Sequence, residues 1–272
     1  MTKSIEQADL SPDRGPIAAV GAPTDNHLAW LVSVRDEQEL AKVLRHHVDV
    51  IDFKEPAGGP LAPVAPEIWR QAVVQVAASS DDHFGSGKRL SAALGEREEM
   101  LGVADQVPSE FAFAKVGPSG CSDAGQVRRL WRDARDRLPA NVELVAVAYA
   151  DHDKAGCLSA EEILGLAGES GLHRFLIDTF TKDGRSTIDV MGTGRLSALS
   201  QAASRGDIWW ALAGSVTADV VRKLRGSKIR PNCVGVRGDV CNSERTAELS
   251  SNRLAVWDRL ISQWTACPSA EK

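Results

Sequence analysis

Short apolar runs alternate with amphipathic stretches along this chain from Leu28 onward, and the alternation repeats eight times. The runs are LAWLVSV (28–34), VDVIDFK (48–54), RLSAALG (89–95), FAFAKVG (111–117), VELVAVAYA (142–150), RFLIDTF (174–180), IWWALAGS (208–215) and NCVGVRG (232–238). Between them lie segments with helical spacing of apolar positions, such as DEQELAKVLRHH, PEIWRQAVVQVAA, AGQVRRLWRDARDRL, SAEEILGLAGES and TADVVRKLRG, with ERTAELSSNRLAVWDRLI closing the series. Near-continuous apolar strands separated by helices predict a parallel sheet covered on its outer face. Eight such units in a chain of this length predict an α/β fold, a single (β/α)8 TIM barrel. A doubly wound open sheet would ordinarily carry a glycine-rich turn after its first strand, and LVSVRDEQEL holds no glycine. The third unit is the weakest, since REEMLGVADQVPSE offers only a short helix and AASSDDHFGSGK reads as an irregular loop.

Residues 1–26 are rich in Pro, Gly, Asp and Ser without periodicity and read as a flexible N-terminal extension, leaving 27–272 for the catalytic barrel. The net charge of −5 provides no broad basic field. Nucleic acid and anionic membrane are therefore not expected partners, and a small ligand is. No stretch approaches the run of about 18 apolar residues that a membrane span needs. Five cysteines without a CxxC pair fit reduced thiols and a cytoplasmic location.

In a barrel the chemistry comes from the carboxyl ends of the strands. There the second run places Asp52 and Lys54 two apart, on one face, and the fourth places Lys115. The fifth ends in Tyr149 and Asp151, and the sixth in Asp178 with Lys182 in the loop beyond. Lysine inside apolar strands is unusual; a single one reads as a core ion pair or a rim lysine, whereas several converging with carboxylates suggest an amine nucleophile. A lysine desolvated beside another cation attacks carbonyls and forms a Schiff base. After the seventh and eighth runs, Gly214, Ser215, Gly235 and Gly238 could cradle a phosphate on backbone N–H groups, with Arg237 adding a fork of donors. Turns that simply require glycine are the alternative for these positions.

Other signals are weaker. FGSGKRL would need glycine at Asp82 and Ser or Thr at Arg89 to be a P-loop. GTGRLS (192–197) reads better as a helix start than as a dinucleotide motif. His46 and His47 are placed at the end of the first helix, and His152 with Asp151 and Asp153 lacks further residues at metal-ligand spacing. No metal is expected. The seven tryptophans are assigned to core or interface, and any exposed on helices would suit a homo-oligomer contact.

The stretches LVSVRD, DVIDFKEP, GGPLA, SAALGE, AKVG, AYAD, LIDTFTKDG, ALAGS and VGVRG, spanning residue 30 to about 241, resemble the (5-formylfuran-3-yl)methyl phosphate synthases, also called 4-(hydroxymethyl)-2-furancarboxaldehyde-phosphate synthases. The resemblance implies a cofactor-independent lyase of methanofuran biosynthesis that joins two glyceraldehyde 3-phosphate molecules into the furan phosphate, losing phosphate and water. It further implies Lys54 as the Schiff-base lysine, Lys115 as the acid/base lysine, and Asp52, Asp178 and Lys182 as further active-site groups. Departures are Glu55 where the family usually has Asn, a shorter loop after the third strand, and the extension at 1–26. A Schiff-base aldolase of another sugar phosphate, or a barrel that merely binds a phosphorylated metabolite, would share the same strand pattern.

Overall fold

A computed structural model describes residues 27–79 and 87–265. The predicted extension at 1–26, residues 80–86 of the loop before the third strand, and Cys267 lie outside the described residues. The order of elements is β1 (Ala29–Val34), α1 (Glu37–Val43), β2 (Val50–Phe53), α2 (Pro66–Ala78), β3 (Arg89–Ala93), α3 (Arg97–Val103), β4 (Phe113–Val116), α4 (Ala124–Arg135), β5 (Glu143–Tyr149), α5 (His152–Ala155), α6 (Ala160–Glu169), β6 (Arg174–Asp178), α7 (Thr187–Arg205), β7 (Trp209–Leu212), α8 (Ala218–Leu224), β8 (Cys233–Val236) and α9 (Ser251–Thr265). All strand pairings are parallel, and β8 returns to β1 to close a barrel of eight strands among the described residues.

Two-residue periodicity divides the apolar residues between two cores. Outward positions such as Trp30, Val32, Ile51, Phe53, Ile177 and Leu212 pack under the helices in the larger one. Inward positions such as Leu31, Val50, Phe113, Val147, Leu176 and Ala211 fill the barrel itself. The inward positions one step nearer the carboxyl ends are polar: Ser33 pairs in register with Asp52, and Asp52 with Ser91. The apolar filling therefore ends below the mouth, and a polar layer begins.

Local signals place the helices. Asp36 caps α1 through Glu39 N, Ser159 and Glu162 form a reciprocal capping box on α6, and Ser186 and Asp189 do the same for α7. In α7, Gly192 at φ 75° and ψ 157° breaks the helix, so GTGRLS does begin a helical piece. The first helix is shorter than its periodicity suggests. It ends at Val43, and His46 and His47 lie beyond it, each 3.1 Å from an Asp258 oxygen rather than closing the helix.

The tryptophans belong to the core more than to an outer face. Trp30, Trp69, Trp131, Trp210 and Trp257 are buried, and only Trp209 and Trp264 are half-exposed. The helix tryptophans expected to mark an interface are thus mostly inside. Trp257 of α9 stacks on Trp30 of β1 at 6.0 Å, while its indole N–H donates to Asp239, which also accepts from Ala218 N at the start of α8. The four described cysteines are free, and no described helix is long and apolar enough to cross a membrane.

Candidate active site

A cavity of about 450 Å³ opens at the carboxyl ends of the strands. Lys54, Lys115, Asp52, Asp178 and Lys182 all line it, together with Gly214, Ser215, Gly235, Arg237 and Gly238 from the seventh and eighth units. Residues far apart in the chain thus share one space, because the barrel brings the ends of β2, β4, β6, β7 and β8 to one mouth.

The charges form two linked groups. Deeper in the barrel, Lys115 is ion-paired with Asp52 at 2.6 Å, and Ser33 Oγ donates to the other Asp52 oxygen at 3.1 Å. Both members are almost wholly withdrawn from solvent, Asp52 at 0% and Lys115 at 3% exposure. Nearer the opening, Lys182 Nζ donates to Asp178 Oδ1 at 2.7 Å, and Thr179 N–H donates to the same oxygen at 2.8 Å. Lys54 Nζ stands 3.9 Å from the opposite Asp178 oxygen. Lys54 is consequently the least tightly engaged amine of the three.

Burial lowers the Lys54 amine to about 8, and the neighbouring Lys182 and Lys115 ammonium groups push in the same direction while Asp178 and Asp52 oppose them. A lysine at its ordinary value would be almost wholly protonated near neutrality; this one is free amine in about a tenth of molecules at pH 7. Burial alone would raise the Asp178 carboxyl, but Lys182 and Lys54 outweigh it and the net direction is downward. Asp178 is therefore a carboxylate held between two amines, able to take a proton from one and return it.

Backbone geometry at β7 makes the turn facing this layer. Gly214 has φ +83°, and a Cβ there would fall 2.4 Å from Thr187 Oγ1 and 2.8 Å from Thr179 N. Ser215 follows at φ 49°, a left-handed conformation uncommon for a residue with a side chain. Thr187 Oγ1 donates to Ala213 O at 2.6 Å, tying the turn to α7. Gly235 likewise admits little more, since a Cβ would meet Ala213 Cβ at 3.2 Å.

Three expected ligand contacts have other partners. Arg237 lines the cavity, but its guanidinium makes a bidentate pair with buried Glu39 at 2.7 and 3.0 Å and also donates to Ser33 O, Arg245 O and Ala247 O. Its fork of donors organises the loop after β8 rather than facing an anion. Tyr149 does not line the cavity: its hydroxyl donates to Glu96, and its ring meets Phe180 edge-on at 5.2 Å. Burial, reinforced by the Glu96 carboxylate, holds this phenol well above its usual pKa, and burial raises the Glu96 carboxyl too. Asp151 accepts the N–H groups of Phe180 and Thr181 at 2.6 and 2.8 Å, the two residues preceding Lys182, and so shapes the loop that carries that amine. Among the described residues no group of three His, Cys, Asp or Glu side chains could hold a metal ion.

Several polar cavity residues escaped the pattern, Ser33 and Arg245 among them. Ser33 is a polar interruption of an apolar strand at its carboxyl end, a signal of the same kind as Asp52. Arg245 lies in the segment NSERTAEL, outside any strand, where periodicity carries no information. Glu55, the departure beside Lys54, accepts Ala57 N–H at 2.8 Å and is absent from the cavity lining.

Residues 30–258 match the family model described as 4-HFC-P synthase. The chain is 26% identical over 226 residues to (5-formylfuran-3-yl)methyl phosphate synthase of Archaeoglobus fulgidus, an alignment covering 80% of this chain and 92% of the relative. With the enzyme of the same name from Methanothermobacter thermautotrophicus it shares 28% over 222 residues, 78% and 88% of the two chains. Among solved structures, KGPDC from Streptococcus mutans is similar with a TM-score of 0.55 at 12% identity, covering 87% of this chain and 98% of that one. That likeness concerns the barrel fold.

Proposed function

This chain belongs to the 4-HFC-P synthase family, and from that premise we propose that it is a carbon–oxygen lyase that converts two glyceraldehyde 3-phosphate molecules into (5-formylfuran-3-yl)methyl phosphate through a Schiff base on Lys54. Atom balance requires release of one phosphate and two waters. The observation that carries the reading is a buried lysine with its amine lowered to about 8, loosely paired at 3.9 Å, beside a second buried lysine–carboxylate pair.

In this scheme the free Lys54 amine adds to the carbonyl of one triose phosphate, after its isomerisation, and water leaves as the iminium forms. The iminium draws electrons from the adjacent carbon; loss of a proton there gives an enamine, whose carbon attacks the aldehyde of the second triose. Asp178, within reach of both amines, is placed to exchange protons at the Lys54 end, and Lys115 to protonate the developing alkoxide. Asp52, 2.6 Å away, holds the Lys115 amine in position inside the barrel. Elimination of one phosphate, ring closure by a hydroxyl that attacks the imine carbon and expels the Lys54 amine, and loss of the second water then complete the aromatic furan and free the lysine. The turns at Gly214, Gly235 and Gly238 hold the retained phosphate on main-chain N–H groups. The product would serve methanofuran-type cofactor synthesis and hence one-carbon metabolism in the cytoplasm, with no cofactor needed for this step.

The test is direct. Purified protein incubated with glyceraldehyde 3-phosphate should release inorganic phosphate in step with a new furan-aldehyde absorbance, and borohydride should fix a triose adduct on Lys54, identified by peptide mass. Folded protein that gives neither signal ends the proposal.

A further inference from the structure

Of the arginines withdrawn from solvent, buried Arg237 meets Glu39 and half-buried Arg174 meets Glu143, whereas half-buried Arg135, away from the cavity, donates only to the carbonyls of Leu138, Pro139 and Val142; in the cavity lining a carboxylate partner would be expected. Arg245 has none. Among the described residues no carboxylate oxygen lies within ion-pair distance of it, although it is half-buried and lines the cavity. Its two protein partners are neutral: one terminal nitrogen donates to Pro56 O at 2.6 Å and the other to Gly59 O at 3.2 Å. Both carbonyls belong to the loop that follows Lys54. The Nε–H and the second hydrogen of each terminal nitrogen have no partner among the described residues, and a guanidinium keeps its charge even where burial lowers its pKa, as it does here.

The surrounding loop fixes this group in place. Arg237 Nε donates to Arg245 O at 2.8 Å, and Arg237 is itself anchored on Glu39. Asn242 N–H bonds Glu248 O at 2.9 Å, and a bridge between Cys241 and Leu249 closes the loop's base. Gly238 sits directly beneath it, since a Cβ there would stand 3.6 Å from Arg245 Cβ. An unneutralised cation is therefore held against the glycine turn of β8, with donors to spare and a preset orientation.

We infer that Arg245, and not Arg237, supplies the guanidinium that grips the phosphate of the incoming triose phosphate, bridging that anion to the loop behind Lys54. The identification of the anion as a triose phosphate rests on the proposed function; the anion site itself rests on the unpaired guanidinium. Arg237 and Glu39 support this site from behind without touching substrate.

The experiment compares wild type, Arg245→Gln and Arg245→Lys in two measurements. Borohydride trapping on Lys54 is run with glyceraldehyde 3-phosphate and, separately, with unphosphorylated glyceraldehyde. Inorganic phosphate binding is measured by calorimetry. Charge-assisted hydrogen bonds of this kind predict that Arg245→Gln weakens phosphate binding and trapping of the phosphorylated aldehyde by about ten- to a hundredfold, with trapping of glyceraldehyde unchanged. Arg245→Lys, which keeps the charge, should recover part of the loss. Equal losses with both aldehydes would make Arg245 a structural strap and overturn the inference, as would unaltered phosphate binding in Arg245→Gln. If Arg245→Gln does not fold, Arg245→Lys decides: it must bind phosphate more weakly than wild type while trapping glyceraldehyde at the wild-type rate. Should wild type trap neither aldehyde, the Schiff-base proposal fails, and phosphate calorimetry alone judges the anion site.

Discussion

Replacing Asp178 by asparagine removes the one carboxylate that stands between the Lys54 and Lys182 amines, at 3.9 and 2.7 Å. At 3.9 Å and an effective dielectric of about 20, a full opposite charge would be worth about 4 kcal/mol to Lys54. Lys182 already neutralises much of that charge, so a fall of about 1–2 in the Lys54 pKa is the working figure. From a starting value of about 8, the free-amine fraction at pH 7 would rise from about one-tenth to between about half and nine-tenths. Borohydride trapping of glyceraldehyde 3-phosphate on Lys54 should then proceed about five to ten times faster at pH 7, its midpoint displaced toward acid. Furan formation should fall at the same time, because the proton acceptor beside the adduct is gone. The assay is trapping rate against pH, with peptide mass to confirm the site and a melting curve to confirm the fold. A trapping midpoint equal to or above that of the wild type would refute the electrostatic account of Lys54, whatever happened to turnover.

Lys54→Met should stabilise the protein while abolishing activity. The folded pKa of about 8 lies below the ordinary 10.5, so the unfolded chain holds the extra proton between those values and stability rises with pH across that window. Below pH 8 the penalty is fully present and amounts to ~3 kcal/mol; urea unfolding at pH 7 should recover most of it, and a variant less stable than wild type would contradict the burial argument. Lys88, also lowered to about 8, keeps its own share of the slope, so the pH dependence should shrink without vanishing. Lys115→Met strands a fully buried Asp52 carboxylate and should cost about 3–5 kcal/mol, whereas the double variant with Asp52→Asn should regain most of that stability but none of the activity. Gly214→Ala forces a Cβ against Thr187 and Thr179 N at φ +83°; a melting temperature within a degree of wild type, or an unchanged KM for the triose phosphate, would show that the turn does not need glycine.

The barrel was legible because two physical periods are hard to confuse: eight apolar runs with helical stretches between them leave few ways to bury both faces of a sheet. Asp52, Lys54, Lys115 and Asp178 were legible for a related reason, since alternation along a strand fixes the face of each residue and the run's end fixes its height. What alternation cannot supply is the partner. Arg237 has the right position for an anion ligand, yet Glu39, 198 residues away, takes its donors. Tyr149 and Asp151 stand at the end of the correct strand but turn to Glu96 and to the main chain before Lys182. Arg245 sits in a loop with no period at all, and its significance lies in lining the cavity without a carboxylate partner, a combination visible only in three dimensions. His46 and His47 look like a helix terminus in sequence because nothing nearby announces Asp258.

The stacking of Trp257 on Trp30 bears on how the molecule is made. The first strand leaves the ribosome more than two hundred residues ahead of the indole that covers it, and that same indole is wired through Asp239 to the beginning of α8. During synthesis the face of Trp30 that Trp257 covers therefore lacks its partner until more than two hundred further residues have been made, an interval in which a holdase chaperone has its natural substrate. A premature stop a few codons before Trp257 would remove more than the end of α9: it would leave Trp30 without the ring stacked on it and Asp239 without its indole donor.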